Sequence, residues 1–157
     1  MAFKFNGPTA YPQEIADTST TQMLPLGTQA EAYDLTLGYG EFIYLKGVAS
    51  TAVGDVVTFN QTTYATTRSV AGARGSVAIA MSANVANQYG WYMIYGVASV
   101  KSGTVVSGAL VYVTATAGQI DDAVVAGDKI DGMILRSANS GGFATVGMQY
   151  PFLNGNG

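Results

Sequence analysis

Apolar and polar positions fall into short blocks along this chain, and the strongest block is apolar on both of its faces. Read as an alternating strand, residues 89–100 place Tyr89, Trp91, Met93, Tyr95 and Val97 on one side. Tyr92, Ile94, Gly96, Ala98 and Val100 fall on the other. A half-exposed antiparallel strand is polar on one face. This pattern therefore predicts a strand covered twice, once by the domain core and once by an arm of its own chain or a neighbouring subunit.

The same block has an earlier counterpart. Gly47-Val48-Ala49-Ser50 returns as Gly96-Val97-Ala98-Ser99, and Phe143-Ala144-Thr145-Val146-Gly147-Met148 is a weaker echo. Gly54-Asp55-Val56-Val57-Thr58-Phe59 reads against Gly108-Ala109-Leu110-Val111-Tyr112-Val113. Val70-Ala71-Gly72 leads to Ser82-Ala83-Asn84, and Val125-Ala126-Gly127 leads at the same interval to Ser137-Ala138-Asn139. Four matched blocks in one order predict a tandem duplication, with units at about 42–84 and 91–139 and a closing strand at 143–152. Short runs rich in aromatic and β-branched residues, separated by Gly, Asn and Asp turn signals, predict an all-β domain. The expected architecture is a small β-barrel or β-sandwich over residues 34–157.

Residues 1–33 break the pattern. They hold Pro8, Pro12 and Pro25 and the polar run from Asp17 to Gln22, with no sustained period. Proline withholds a backbone donor and interrupts pairing. The segment reads as an extended N-terminal arm whose anchors on a partner are Pro12, Met23, Leu24, Pro25 and Leu26, since an extended segment can add to a neighbour's sheet edge. The residues around Tyr89, Trp91 and Tyr95 are expected in the core or at a subunit interface, where aromatics dominate.

Composition narrows the function. Of 157 residues only 11% are charged, against roughly 25% in typical soluble proteins, while 48% are apolar. So little charge implies a surface partly hidden against neighbours. Net charge is −3 without a basic cluster, which argues against nucleic acid as partner. No apolar run reaches membrane-spanning length, and the N-terminus lacks a signal-peptide core. With no His and no Cys, His-dependent triads and Cys-based metal sites are excluded. Neither a Gly-x-Ser-x-Gly elbow nor a phosphate-cradling loop is present. Asp121, Asp122, Asp128 and Asp131 form the best acidic group, read as solvated turn residues rather than cation ligands. No cofactor and no metal are expected. An aromatic sugar platform around Trp91 and its tyrosines is the alternative use of that strand. Arg68, Arg74 and Arg136 stand apart from one another and are expected to pair locally or across an interface.

Several blocks together resemble the capsid decoration, or cement, proteins of tailed bacteriophages. They are Leu24-Pro25-Leu26-Gly27-Thr28, Tyr44-Leu45-Lys46-Gly47-Val48-Ala49, Gly54-Asp55-Val56-Val57, Ala80-Met81-Ser82-Ala83-Asn84, Gln88-Tyr89-Gly90-Trp91-Tyr92 and Asp121-Asp122-Ala123-Val124-Val125-Ala126-Gly127-Asp128. The resemblance spans about residues 17–152. It implies a β-rich structural protein, made in the host cytoplasm, that sits on the outer capsid surface of the virion. It further implies homotrimers, the major capsid protein as partner, and an N-terminal arm in the contact. No catalytic residues come with it. The competing expectation is a virion-surface adhesin or glycan-binding module. A hydrolase or lyase ranks below both.

Overall fold

The computed structural model describes residues 2–5 and 11–156, so Pro8 lies outside the described residues. Every regular element among the described residues is a strand. The strands are β1 (Lys4–Phe5), β2 (Thr18–Ser19), β3 (Gln29–Asp34), β4 (Gly38–Lys46), β5 (Val56–Phe59) and β6 (Thr66–Arg68). Then come β7 (Gly75–Ala80), β8 (Tyr89–Lys101), β9 (Leu110–Val113), β10 (Ile120–Asp121), β11 (Lys129–Leu135) and β12 (Phe143–Leu153). All pair antiparallel in one sheet of order β1-β3-β4-β8-β7-β12-β11-β9-β10, with β2 added to β8, β5 to β7 and β6 to β5. The all-β expectation stands. The strand path ends at β1 and β10, and the sheet is not closed, so the pairing does not establish a barrel. Among the described residues no helix is long and apolar enough to cross a membrane.

The duplication appears in the hydrogen bonds. β5 pairs with β6 and β7, and β9 pairs with β10 and β11. Gly54 N donates to Ala80 O and Ala80 N to Asp55 O; in the second unit Gly108 N donates to Leu135 O and Leu135 N to Ala109 O. Met81 N donates to Trp91 O as Arg136 N does to Thr145 O. Two similar stretches of sequence thus repeat one wiring. β8 follows the first unit as β12 follows the second, and the two pair along Val100–Ala144 to Tyr95–Gln149.

One core cluster collects side chains from β3, β4, β5 and every strand from β7 to β12, including Phe42, Ile79, Trp91, Val111, Leu135 and Val146. The sheet therefore curls around it. A smaller cluster of Ile43, Leu45, Val57, Ala78, Ala80, Tyr92 and Ile94 lies on the opposite face. β8 is apolar on both sides because it serves both clusters.

Strict alternation along β8 fails at one place. Trp91 and Met93 share the large core with Ala98 and Val100, although odd and even positions should face apart. The register against β4 slips between Glu41–Tyr95 and Phe42–Met93, and Gly96 has φ 118°. This is a β-bulge, which adds one residue and reverses the alternation beyond it. Tyr95 and Val97 therefore leave the face of Trp91 that the period assigned them.

The described residues of the 1–33 segment pack on the rest of the chain. β3 is a full member of the sheet, so the expected boundary at 33/34 cuts through it. Phe3 and Ile15 are buried in the large core. Gln13 is a polar rivet beneath them. Its Nε2 donates to Asp17 O (2.9 Å) and Tyr89 O (2.8 Å), and its Oε1 accepts from Tyr44 Oη (2.6 Å). Its backbone carbonyl accepts from Trp91 Nε1 at 2.9 Å. The rings of Phe5 and Tyr11 each stand 5.5 Å from the Trp91 ring. The chain covers its own tryptophan, because a buried indole N–H needs an acceptor that solvent no longer supplies.

Candidate functional site

Beyond the bulge the outer face of β8 continues onto three more strands. The registers Val97–Gly147, Gly147–Ile134 and Ile134–Leu110 set one row across β8, β12, β11 and β9. Leu110 is 52% and Ile134 39% exposed, so this row is an uncovered apolar strip. It lies in a groove of about 560 Å³ that also takes in Tyr39, Tyr95, Gln149 and Arg136. Gly147 keeps the floor low there. A Cβ on it would stand 2.7 Å from Arg136 Nε, so the guanidinium lies across the floor. Arg136 makes no ion pair and no side-chain hydrogen bond among the described residues.

Tyr39 and Tyr95 at one end of the groove lead to an aromatic, acidic patch beside it. β3 and β4 form a hairpin in which Tyr33 faces Tyr39 and Glu31 faces Glu41, and Glu41 in turn faces Tyr95. Tyr95 lies 6.0 Å from Tyr39 and 5.5 Å from Tyr150, ring centre to ring centre. Tyr150 Oη donates a hydrogen bond to Glu41. Partial burial, followed by hydrogen bonding to Glu31, pushes the Tyr39 phenol up to about 12. Hydrogen bonding to Glu41 pushes Tyr150 up to about 12 as well. Neither glutamate has an ion-pair partner among the described residues. Like charges directly opposite on paired strands are unfavourable, so this end carries an uncompensated negative charge.

The sequence-predicted residues divide between inside and outside. Trp91 is fully buried and Tyr89 half-buried, which removes Trp91 as a sugar platform. Tyr95 lies in the groove. Of the expected arm anchors, Leu24 and Leu26 pack against the chain's own core, whereas Pro12, Met23 and Pro25 are exposed. The four aspartates do not converge. Asp122 accepts from Val106 N, Asp121 from Ala123 N and Asp128 from Gly72 N, and Asp131 pairs with Lys129 at 3.0 Å. Among the described residues no group of three or more acidic, His or Cys side chains has metal-binding geometry. Arg68 joins buried Asp55 at 2.7 Å and donates to Ala117 O, tying the first unit to the second.

Glu31, Tyr39, Glu41 and Tyr150 were not among the candidates. A signal for three of them exists in the mirror order Glu31-x-Tyr33 and Tyr39-x-Glu41 about a turn at residues 34–38, where Asp34 Oδ1 accepts from Thr36 N and Leu37 N. In the sequence, Leu35 and Leu37 alternate with polar or small residues as in a short strand or lead-in, which hides the hairpin. No protein-family model and no curated protein matches this chain.

Proposed function

We propose that this chain is a structural virion protein that binds the outer surface of a tailed-phage capsid and braces the shell by bridging major capsid protein subunits, as a trimer. The observation that carries this reading is the uncovered apolar row of Val97, Ile134 and Leu110 on a chain with so few charges. A strip of this kind, rimmed by polar groups, is characteristic of a protein-binding face. The resemblance supplies the partner. A protein that contacts several shell subunits at once stabilises the assembled shell by mass action, and linked copies add avidity. The exposed Pro12, Met23 and Pro25 give the N-terminal segment a share in the contact. A second reading, a virion-surface glycan-binding module, draws on exposed Tyr39 and Tyr150 rather than Trp91.

The test is co-sedimentation of the purified chain with expanded heads assembled from the major capsid protein of the genome that encodes it. Saturable binding is expected, weakened at least tenfold by Leu110→Asp with Ile134→Asp while the thermal melt is retained. A chain that stays in the supernatant at every head concentration overturns the reading.

A further inference from the structure

We infer that the aromatic, acidic patch beside the groove receives a Lys or Arg side chain presented by an extended segment of another protein. The inference names the partner's chemistry and rests on reading the chain as a binding protein, not on which shell it binds. Three observations support it. Glu31 and Glu41 face each other across β3 and β4, and neither makes an ion pair among the described residues. Tyr39, Tyr95 and Tyr150 stand around that pair, with Tyr33 beyond. A cation held over tyrosine rings gains from their quadrupoles and here also from two carboxylates. A neutral sugar leaves the repulsion between the glutamates in place, and an anion adds to it.

The chain itself has little positive charge to offer. Arg68 and Lys101 are drawn to Asp55, and Lys129 is held by Asp131. Lys4, opposite Tyr33 at the sheet edge, and Lys46 and Arg74 make no ion pair among the described residues. A foreign basic segment is the complementary occupant. From Tyr39 and Tyr95, next to the glutamates, the groove continues to the Val97–Ile134–Leu110 row, where the Arg136 guanidinium lies over Gly147. An extended segment thus meets tyrosines and carboxylates first, and then the apolar row with the Arg136 guanidinium lying across it.

The test uses the full-length ¹⁵N-labelled chain and two capped hexapeptides of alternating Thr and Val, one with a single Arg and the other with Glu in its place. The Arg peptide is expected to shift amides in residues 31–41, 95–97 and 147–150, and the Glu peptide to act at least tenfold more weakly. Glu31→Gln with Glu41→Gln should lose at least tenfold in Arg-peptide affinity while melting no lower than the parent, because a repulsion has gone. Equal response to both peptides overturns the inference, as does undiminished binding by the double variant or no shift at millimolar peptide. So does a response to maltotriose alone at the same amides. If Glu41→Lys changes the sedimentation coefficient of the free protein, the occupant is a second copy and the foreign partner is ruled out. A chain that binds heads but not the peptide defeats this inference alone; one that binds the peptide but not heads defeats the capsid reading alone.

Discussion

Tyr39 and Tyr150 show how single residues set the character of the exposed face. Both phenols are raised from 10.0 to about 12, Tyr39 chiefly by partial burial and Tyr150 chiefly by its hydrogen bond to Glu41. Tyr92, buried beside Asn84, is raised to about 12 by desolvation. A phenol whose folded-state pKa exceeds its unfolded value contributes stability that is complete below the unfolded value. That contribution disappears as pH rises through the folded value. Folding stability is therefore expected to hold up to about pH 10 and to fall steadily toward pH 12. Urea midpoints across that window measure the slope. Tyr150→Phe should make it shallower without abolishing it, since Tyr39 and Tyr92 still titrate. A slope unchanged by Tyr150→Phe would show that the Glu41 contact has no weight in solution. None of this is legible from the sequence, because Glu41 and Tyr150 are distant in the chain and meet only through the curl of the sheet.

At the level of strands, the sequence was most informative where local pattern and tertiary pairing agree. The Gly54 and Gly108 blocks begin equivalent strands, and each glycine donates to the corresponding strand of its own unit, Gly54 to Ala80 of β7 and Gly108 to Leu135 of β11. The period-two reading of residues 89–100 fails at Gly96 for a definable reason. Its φ of 118° belongs to a bulge, and any Cβ there would stand 2.7 Å from Tyr39 O. A glycine within a strand pattern is a recognised bulge signal, yet nothing in the sequence says which face the extra residue turns outward. The hairpin around residues 34–38 was lost for a similar reason, since Leu35 and Leu37 imitate strand alternation while Asp34 caps a turn. Gly96→Ala tests this account against Gly72→Ala. Gly72 has φ 84° and open space around it. Its replacement should cost about 1–2 kcal/mol, the left-handed penalty alone. Gly96→Ala adds a backbone collision and should cost at least about 1 kcal/mol more. Urea denaturation of both variants gives the comparison, and a smaller loss at Gly96 would remove the bulge as the cause of the reversed faces.

For the whole molecule, the decisive feature is that the first thirty residues complete the domain they were expected to leave. Prolines and polar residues do break regular pairing there, but irregular backbone can still carry buried side chains. Phe3, Gln13 and Ile15 are each less than a tenth exposed and lie among the residues that enclose Trp91. Sequence pattern ranks such positions low because they recur with no period, and burial of this kind is decided only when distant strands assemble. Fully burying two such apolar side chains contributes about 3–6 kcal/mol, against a total stability of about 5–15 kcal/mol for a domain. Loss of Gln13 also takes the acceptor of the Tyr44 hydroxyl and the acceptor of the buried Trp91 Nε1, where an orphaned donor costs about 1–3 kcal/mol. Deleting residues 1–16 is therefore expected to leave a chain at the edge of folding. Its Trp91 emission should move to longer wavelength, and acrylamide should quench it readily. Met23→Asp changes a side chain 43% exposed and should leave both the emission and the melt of the full chain unaltered. If instead the truncated chain melts as the full chain does and keeps Trp91 shielded, the segment is a detachable arm after all, and its exposed prolines and Met23 become the first place to look for the partner.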